Sequence, residues 1–178
     1  MRLLVPILIL LSLNALAQER PSPPVIATYS IVAWDSLTGD LGVGVQSKFL
    51  GVGAVVPYAK AGVGAVATQA WANTTFGPRG LELLARGMSA EQAGELLVQT
   101  DSGTSRRQLG IVDARGNVFS FTGTGCQPYA GHLAGRGYTV QGNILAGEAG
   151  VKAMARTFEL TDGDPADGHP STPGTYPG

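Results

Sequence analysis

Residues 28–48 read TYSIVAWDSLTGDLGVGVQSK, and this stretch decides the fold. Two runs with strand character, residues 29–34 and 41–46, flank the polar turn Asp35-Ser36-Leu37-Thr38-Gly39-Asp40. Period-two patterning on both sides of a glycine-containing turn reads as a β-hairpin. Thr28 stands where the first strand begins, and Lys48 follows the end of the second.

Downstream, residues 50–68 are nearly all small and apolar (LGVGAVVPYAKAGVGAVAT), which reads as buried strands with glycines that admit close neighbours. Residues 69–77 are a polar loop carrying Trp71 and Asn73. Pro78 suits a first helical turn, Leu81, Leu83 and Leu84 give an apolar face, and Gly87 stops the helix. Ser89 with Gln92 forms a capping box for a second helix, with Ala93, Leu96 and Leu97 facing inward. Residues 108–113 and 118–122 form another hairpin about the turn at residues 114–117. Residues 123–137 read as an irregular Gly-rich loop, residues 138–141 as a strand, Gly142-Asn143 as a turn, and residues 149–160 as a helix with Val151, Met154, Ala155 and Phe158 on one face. Paired helices after a run of strands imply an α+β fold.

The N-terminus carries a separate message. Arg2, the apolar residues 3–13 and Ala15-Leu16-Ala17 have the order of a secretory signal peptide, residues 1–17. The apolar run is too short to span a bilayer, so the product is expected to be exported, periplasmic or extracellular, and free of the membrane after cleavage. Residues 18–27 form a Pro-rich leader, residues 28–160 the domain, and residues 161–178 a tail whose composition is that of a disordered segment. With 12 basic against 13 acidic residues, the chain has no footprint for nucleic acid. The 26 glycines fall within apolar runs and at turns, as in a tightly packed sheet protein. One cysteine, Cys126, excludes an intramolecular disulfide, and the only histidines, His132 and His169, are too far apart for a zinc cluster, so no metal or cofactor is expected.

Three side chains are candidates for nucleophilic chemistry. A Ser-His-Asp arrangement has only His132 to draw on and lacks a G-x-S-x-G elbow. Cys126 and His132 share the loop CQPYAGH, and a thiolate beside an imidazole is a recognised nucleophile. Thr28 serves as nucleophile if its own α-amino group is free, because that amine titrates at about 7.7–8.0 and accepts the hydroxyl proton.

Six segments in order carry a resemblance: TYSIVAWD from Thr28, GVGVQSKF from Gly42, GVGAVATQAWAN from Gly62, GPRGLELL from Gly77, CQPYAGH from Cys126 and QGNILAG from Gln141. They resemble the family catalogued as domain of unknown function ten-twenty-eight, placed among proteins like the N-terminal-nucleophile (Ntn) hydrolases. The resemblance implies an αββα four-layer sandwich and a nucleophile at the first residue of the first strand, which is Thr28. It implies cleavage of amide bonds in a small-molecule or peptide-like substrate. Lys48 would tune the Thr28 amine or bind an anionic group, and Asn73 or Asn143 would help to hold an oxyanion. Because residues 161–178 stand where the family continues with helix and strand, the chain is expected to be C-terminally truncated and a possible homodimer through its open sheet edge. The alternatives are a non-catalytic secreted binding or scaffold domain on the same fold, with Tyr129 and His132 on its ligand rim, and a hydrolase dependent on Cys126 and His132.

Overall fold

The computed structural model describes residues 27–160, so the expected signal peptide, the leader ahead of Ala27 and the tail lie outside the described residues. The hairpin forms as the sequence predicts: β1 (Thr28–Trp34) pairs antiparallel with β2 (Leu41–Ser47). Asp35 makes the turn, since its Oδ1 accepts the Leu37 N–H at 2.7 Å while its own N–H reaches the Asp40 carbonyl at 2.9 Å. Gly39 takes the left-handed φ of 80° that closes it.

A short helix, α1 (Val52–Val55), precedes an edge strand, β3 (Pro57–Lys60), and a central strand, β4 (Gly64–Ala70). The expected run of buried strands over residues 50–68 is thus interrupted, and none of the α1 residues is fully buried. Helices α2 (Phe76–Ala85) and α3 (Ala90–Gln99) follow. The Ser89–Gln92 capping box is present in both directions, and Gly87 takes φ 93° after α2. Leu96 does not face inward as expected; it is exposed, and Gly94 takes its place against the sheet. Strands β5 (Arg107–Asp113) and β6 (Val118–Thr122) form the second hairpin. Asp113 ties that hairpin to α3: Oδ1 accepts the N–H groups of Arg115 and Asn117, and Oδ2 accepts the Asn117 side chain and the Ala90 N–H. Burial opposes its charge, but these hydrogen bonds prevail and hold the carboxyl below the usual range.

Two expectations for the C-terminal third are corrected. The Gly-rich loop contains a strand, β7 (Gly131–Gly135), and Gly142-Asn143 is no turn but the end of β8 (Tyr138–Asn143). The glycines of β7 are room for neighbours: a Cβ on Gly135 would lie 2.1 Å from the Tyr138 ring. Helix α4 (Ala149–Leu160) buries Val151, Ala155 and Phe158, as its periodicity predicts.

The strands make two four-stranded antiparallel sheets, ordered β2-β1-β8-β7 and β3-β4-β5-β6. Helices α2 and α3 cover the outward side chains of the second sheet (Val66, Leu109, Ile111, Phe119 and Phe121), and α4 covers the first through Tyr138 and Val140. Val32, Ala65, Ala67 and Val112 meet between the sheets. The helices of the second sheet approach closely because glycine is the contact residue: a Cβ on Gly94 would lie 2.1 Å from the Phe119 ring.

Replacing Gly94 by Ala therefore sets a helix-propensity gain of about 1 kcal/mol against an overpacking cost of about 1–3 kcal/mol. Gly94→Ala is expected to lower the urea midpoint, whereas Gly53→Ala, whose added Cβ meets open space, is not.

Candidate active site

Antiparallel register places side chains before any chemistry is invoked. Thr28 is directly opposite Ser47 on one side and Asn143 on the other, so all three point to the same face. That face is the inner one, since Ser30 and Val32, next in the row, lie between the sheets. Thr28 ends the row, and it opens there onto a cavity of about 490 Å³ that Ser47, Gln69 and Asn143 also line. Thr28 Oγ1 and Ser47 Oγ are 2.8 Å apart, and Ser47 Oγ accepts the Phe49 N–H at 3.1 Å.

Behind the cavity runs a buried polar seam that joins the sheets. Gln108, fully buried near the start of β5, is its centre. Its Oε1 accepts from Gln69 Nε2 and from Asn143 Nδ2, each at 2.9 Å. Its Nε2 shares two hydrogens among the Gly142 carbonyl (2.8 Å), Thr122 Oγ1 (3.0 Å) and the Gly131 carbonyl (3.2 Å). Gln69 Oε1 accepts from Ser30 Oγ at 2.6 Å, and Ser30 Oγ accepts from Gln141 Nε2 at 2.6 Å. The seam thereby fixes Asn143 and uses one of its two amide hydrogens.

Two lining residues carry strained backbone. Ala70, at the end of β4, has φ 66°, and Ile144, just past β8, has φ 55°. Left-handed geometry is costly for a β-branched residue such as Ile144, and strain of this kind gathers at functional sites. Arg107 holds the loop beyond Ala70: its Nε donates to Asp101 Oδ2 at 2.7 Å, Nη2 reaches Asp101 Oδ1 at 3.4 Å, and Nη1 donates to the Trp71 carbonyl. The Arg106 guanidinium lies over the Trp71 ring, 5.3 Å from its centroid.

Of the residues singled out in the sequence, Thr28 and Asn143 are brought together. Lys48 is exposed and outside the lining. Asn73 is also outside it: Oδ1 accepts from the N–H and hydroxyl of Thr75, and Nδ2 donates to Asp101. Cys126 and His132 line a separate recess of about 510 Å³ with Tyr129. There Cys126 Sγ donates to the Arg107 carbonyl at 3.4 Å, and burial pushes the thiol up. His132 Nδ1 bonds Thr122 Oγ1 at 2.9 Å, and partial burial lowers its imidazole. Both shifts favour neutral forms, opposite to a thiolate–imidazolium pair. Among the described residues no group of three or more His, Cys, Asp or Glu is placed to hold a metal ion. Ser47, Gln69, Arg107 and Gln108 were missed. Antiparallel register counted outward from the hairpin turn sets Ser47 opposite Thr28, while the other three depend on how the second sheet faces the first.

A model of a family of unknown function, DUF1028, matches residues 28–167. The chain belongs to the DUF1028 family. The crystal structure of a DUF1028 protein, SPO2555 from Silicibacter pomeroyi, superimposes with a TM-score of 0.74 at 32% identity, over 76% of this chain and 61% of that one. This DUF1028 chain thus spans about three fifths of that relative's length. A comparison with curated proteins finds no match.

Two outcomes follow for this DUF1028 site. Gln108→Leu strands the Gln69 and Asn143 amides, and at about 1–3 kcal/mol for a buried group left unpaired it is expected to lower denaturant stability by roughly 2–4 kcal/mol. The Asp101 carboxyl is held below its usual range, first by the Arg107 hydrogen bond. A folded pKa below the unfolded value of about 3.9 means that the stability it contributes is present above that value and is lost as pH falls through the folded one. Asp101→Asn is expected to lower Tm at pH 7 and to flatten the acid limb of a Tm–pH curve.

Proposed function

We propose that this chain is an exported amidohydrolase of the N-terminal-nucleophile type, with Thr28 as nucleophile and a small or peptide-like amide as substrate. In this reading the two sheets with helices on their outer faces are the αββα sandwich of that class. The observation that carries it is the position of the Thr28 hydroxyl: it ends the inner row of β1, opens on the cavity, and has Ser47 and Asn143 on either side.

The chemistry begins with hydrolysis of the Ala27–Thr28 bond, which frees the Thr28 α-amine. Thr28 Oγ1 then attacks the substrate amide carbon while its proton passes to that amine. The negative charge gathers on the carbonyl oxygen, where the second Asn143 Nδ2 hydrogen is the donor within the site. Collapse breaks the C–N bond, and the leaving amine takes the proton from the Thr28 ammonium. An ester on Oγ1 remains, and water cleaves it with the same amine as base, releasing the acid. Ser47 is hydrogen-bonded to the Thr28 hydroxyl, so it orients Oγ1 before attack.

Intact mass and N-terminal sequencing of the exported protein test this directly. The expected product starts at Thr28 and hydrolyses amides; Thr28→Ala should lose turnover by at least about 10³-fold, with Thr28→Ser retaining part of it. A protein that starts ahead of Thr28 and still turns over amides at the full rate overturns the mechanism.

A further inference from the structure

The cavity beside Thr28 is lined mainly by apolar side chains, with Gln69, Arg107 and Gln127 as polar residues besides those around Thr28. Thr28, Ser47 and Asn143 gather where the strands end, while Phe49, Val52, Val55, Trp71 and Ile144 make up an apolar wall. One charged side chain among the described lining residues, Arg107, is ion-paired: Nε and Nη2 are on Asp101, and Nη1 donates to the Trp71 carbonyl. Asp101 balances that charge at 2.7 Å, so among the described lining residues there is no unpaired cation for a carboxylate and no anion for an ammonium. A charged group placed there would lose water without meeting an unpaired opposite charge among these residues. An alkyl or aryl group would gain by burial.

We infer that the group bound in this cavity is the acyl part of an uncharged, apolar amide, with its carbonyl at the Thr28 end and its hydrocarbon against Phe49, Val52 and Ile144. The inference rests on the Thr28 reading for the direction of binding. Trp71 determines specificity as the outer wall. Its backbone is pinned, since its N–H donates to the Arg106 carbonyl at 3.2 Å and its carbonyl accepts from Arg107. Trp71 is 59% exposed as a residue and its ring lies beneath the Arg106 guanidinium, so it has surface left for a ligand to cover.

The test uses matched probes of one chain length on the exported protein: hexanoyl, adipoyl and ε-aminocaproyl p-nitroanilides for turnover, and the corresponding primary amides for binding. Binding is read by the tryptophan fluorescence that disappears in Trp71→Phe. The hexanoyl probe should exceed both charged probes by at least about tenfold in kcat/KM, and hexanamide should bind tighter by a similar factor. Trp71→Ala should raise KM for the hexanoyl probe with kcat little changed. Selective binding of hexanamide without turnover of any anilide would sustain the cavity assignment while removing the nucleophile mechanism. Equal or better binding of a charged amide, or no binding of hexanamide, overturns the assignment whatever the turnover.

Discussion

Gln108 bonds to side chains or carbonyls on four strands, β4, β6, β7 and β8, and the two sheets are held in one relative position by what it accepts and donates. A purely apolar sandwich core tolerates small slides, because dispersion contacts are many and non-directional. Side-chain amides do not: each hydrogen bond has a narrow distance and angle, and a buried amide that loses its partner carries the full desolvation cost. Gln108, Gln69 and Gln141 are all fully buried, so a slide of one sheet on the other would strand several groups together. The apolar patch of Val32, Ala65, Ala67 and Val112 supplies attraction beside this seam, and the seam supplies registry.

The same constraint makes the candidate site. Asn143 is at once a member of the seam and a wall of the cavity, so its amide is oriented by the packing of the sheets. Gln69 does the same from the other sheet, immediately before the left-handed Ala70. Gly110 allows this, because a Cβ there would lie 2.5 Å from Gln141 Oε1 and displace the amide that anchors Ser30. The strain at Ala70 and Ile144 is held by these neighbours, and rigid support of this kind lets a hydroxyl, an amide and an apolar wall keep fixed relative positions without a ligand.

Local signals in the sequence were legible where one residue decides the geometry. The Asp35–Asp40 turn, the Ser89–Gln92 box and the stop at Gly87 each rest on a few adjacent atoms, and all three are found as read. β7 was not legible, because Gly-His-Leu-Ala-Gly has low strand propensity and owes its conformation to pairing with β8. Gly142-Asn143 carries turn chemistry, yet pairing with Tyr29 and Thr28 keeps both residues extended. Among the residues that line the cavity, Thr28 was singled out mainly through the family resemblance and Asn143 by residue type, as one of two asparagines. Gln69 and Gln108 were not: a glutamine in an apolar run reads as an outward-facing residue until the facing sheet is known.

Asp113 joins elements that the chain order separates. It closes the β5–β6 turn and also accepts the first amide of α3, more than twenty residues earlier. A surface turn of this kind ordinarily opens on its own and exchanges its amide hydrogens quickly. Here opening the turn also removes the acceptor of the Ala90 N–H, so the turn is coupled to the first turn of α3, which otherwise keeps only its Ser89–Gln92 box.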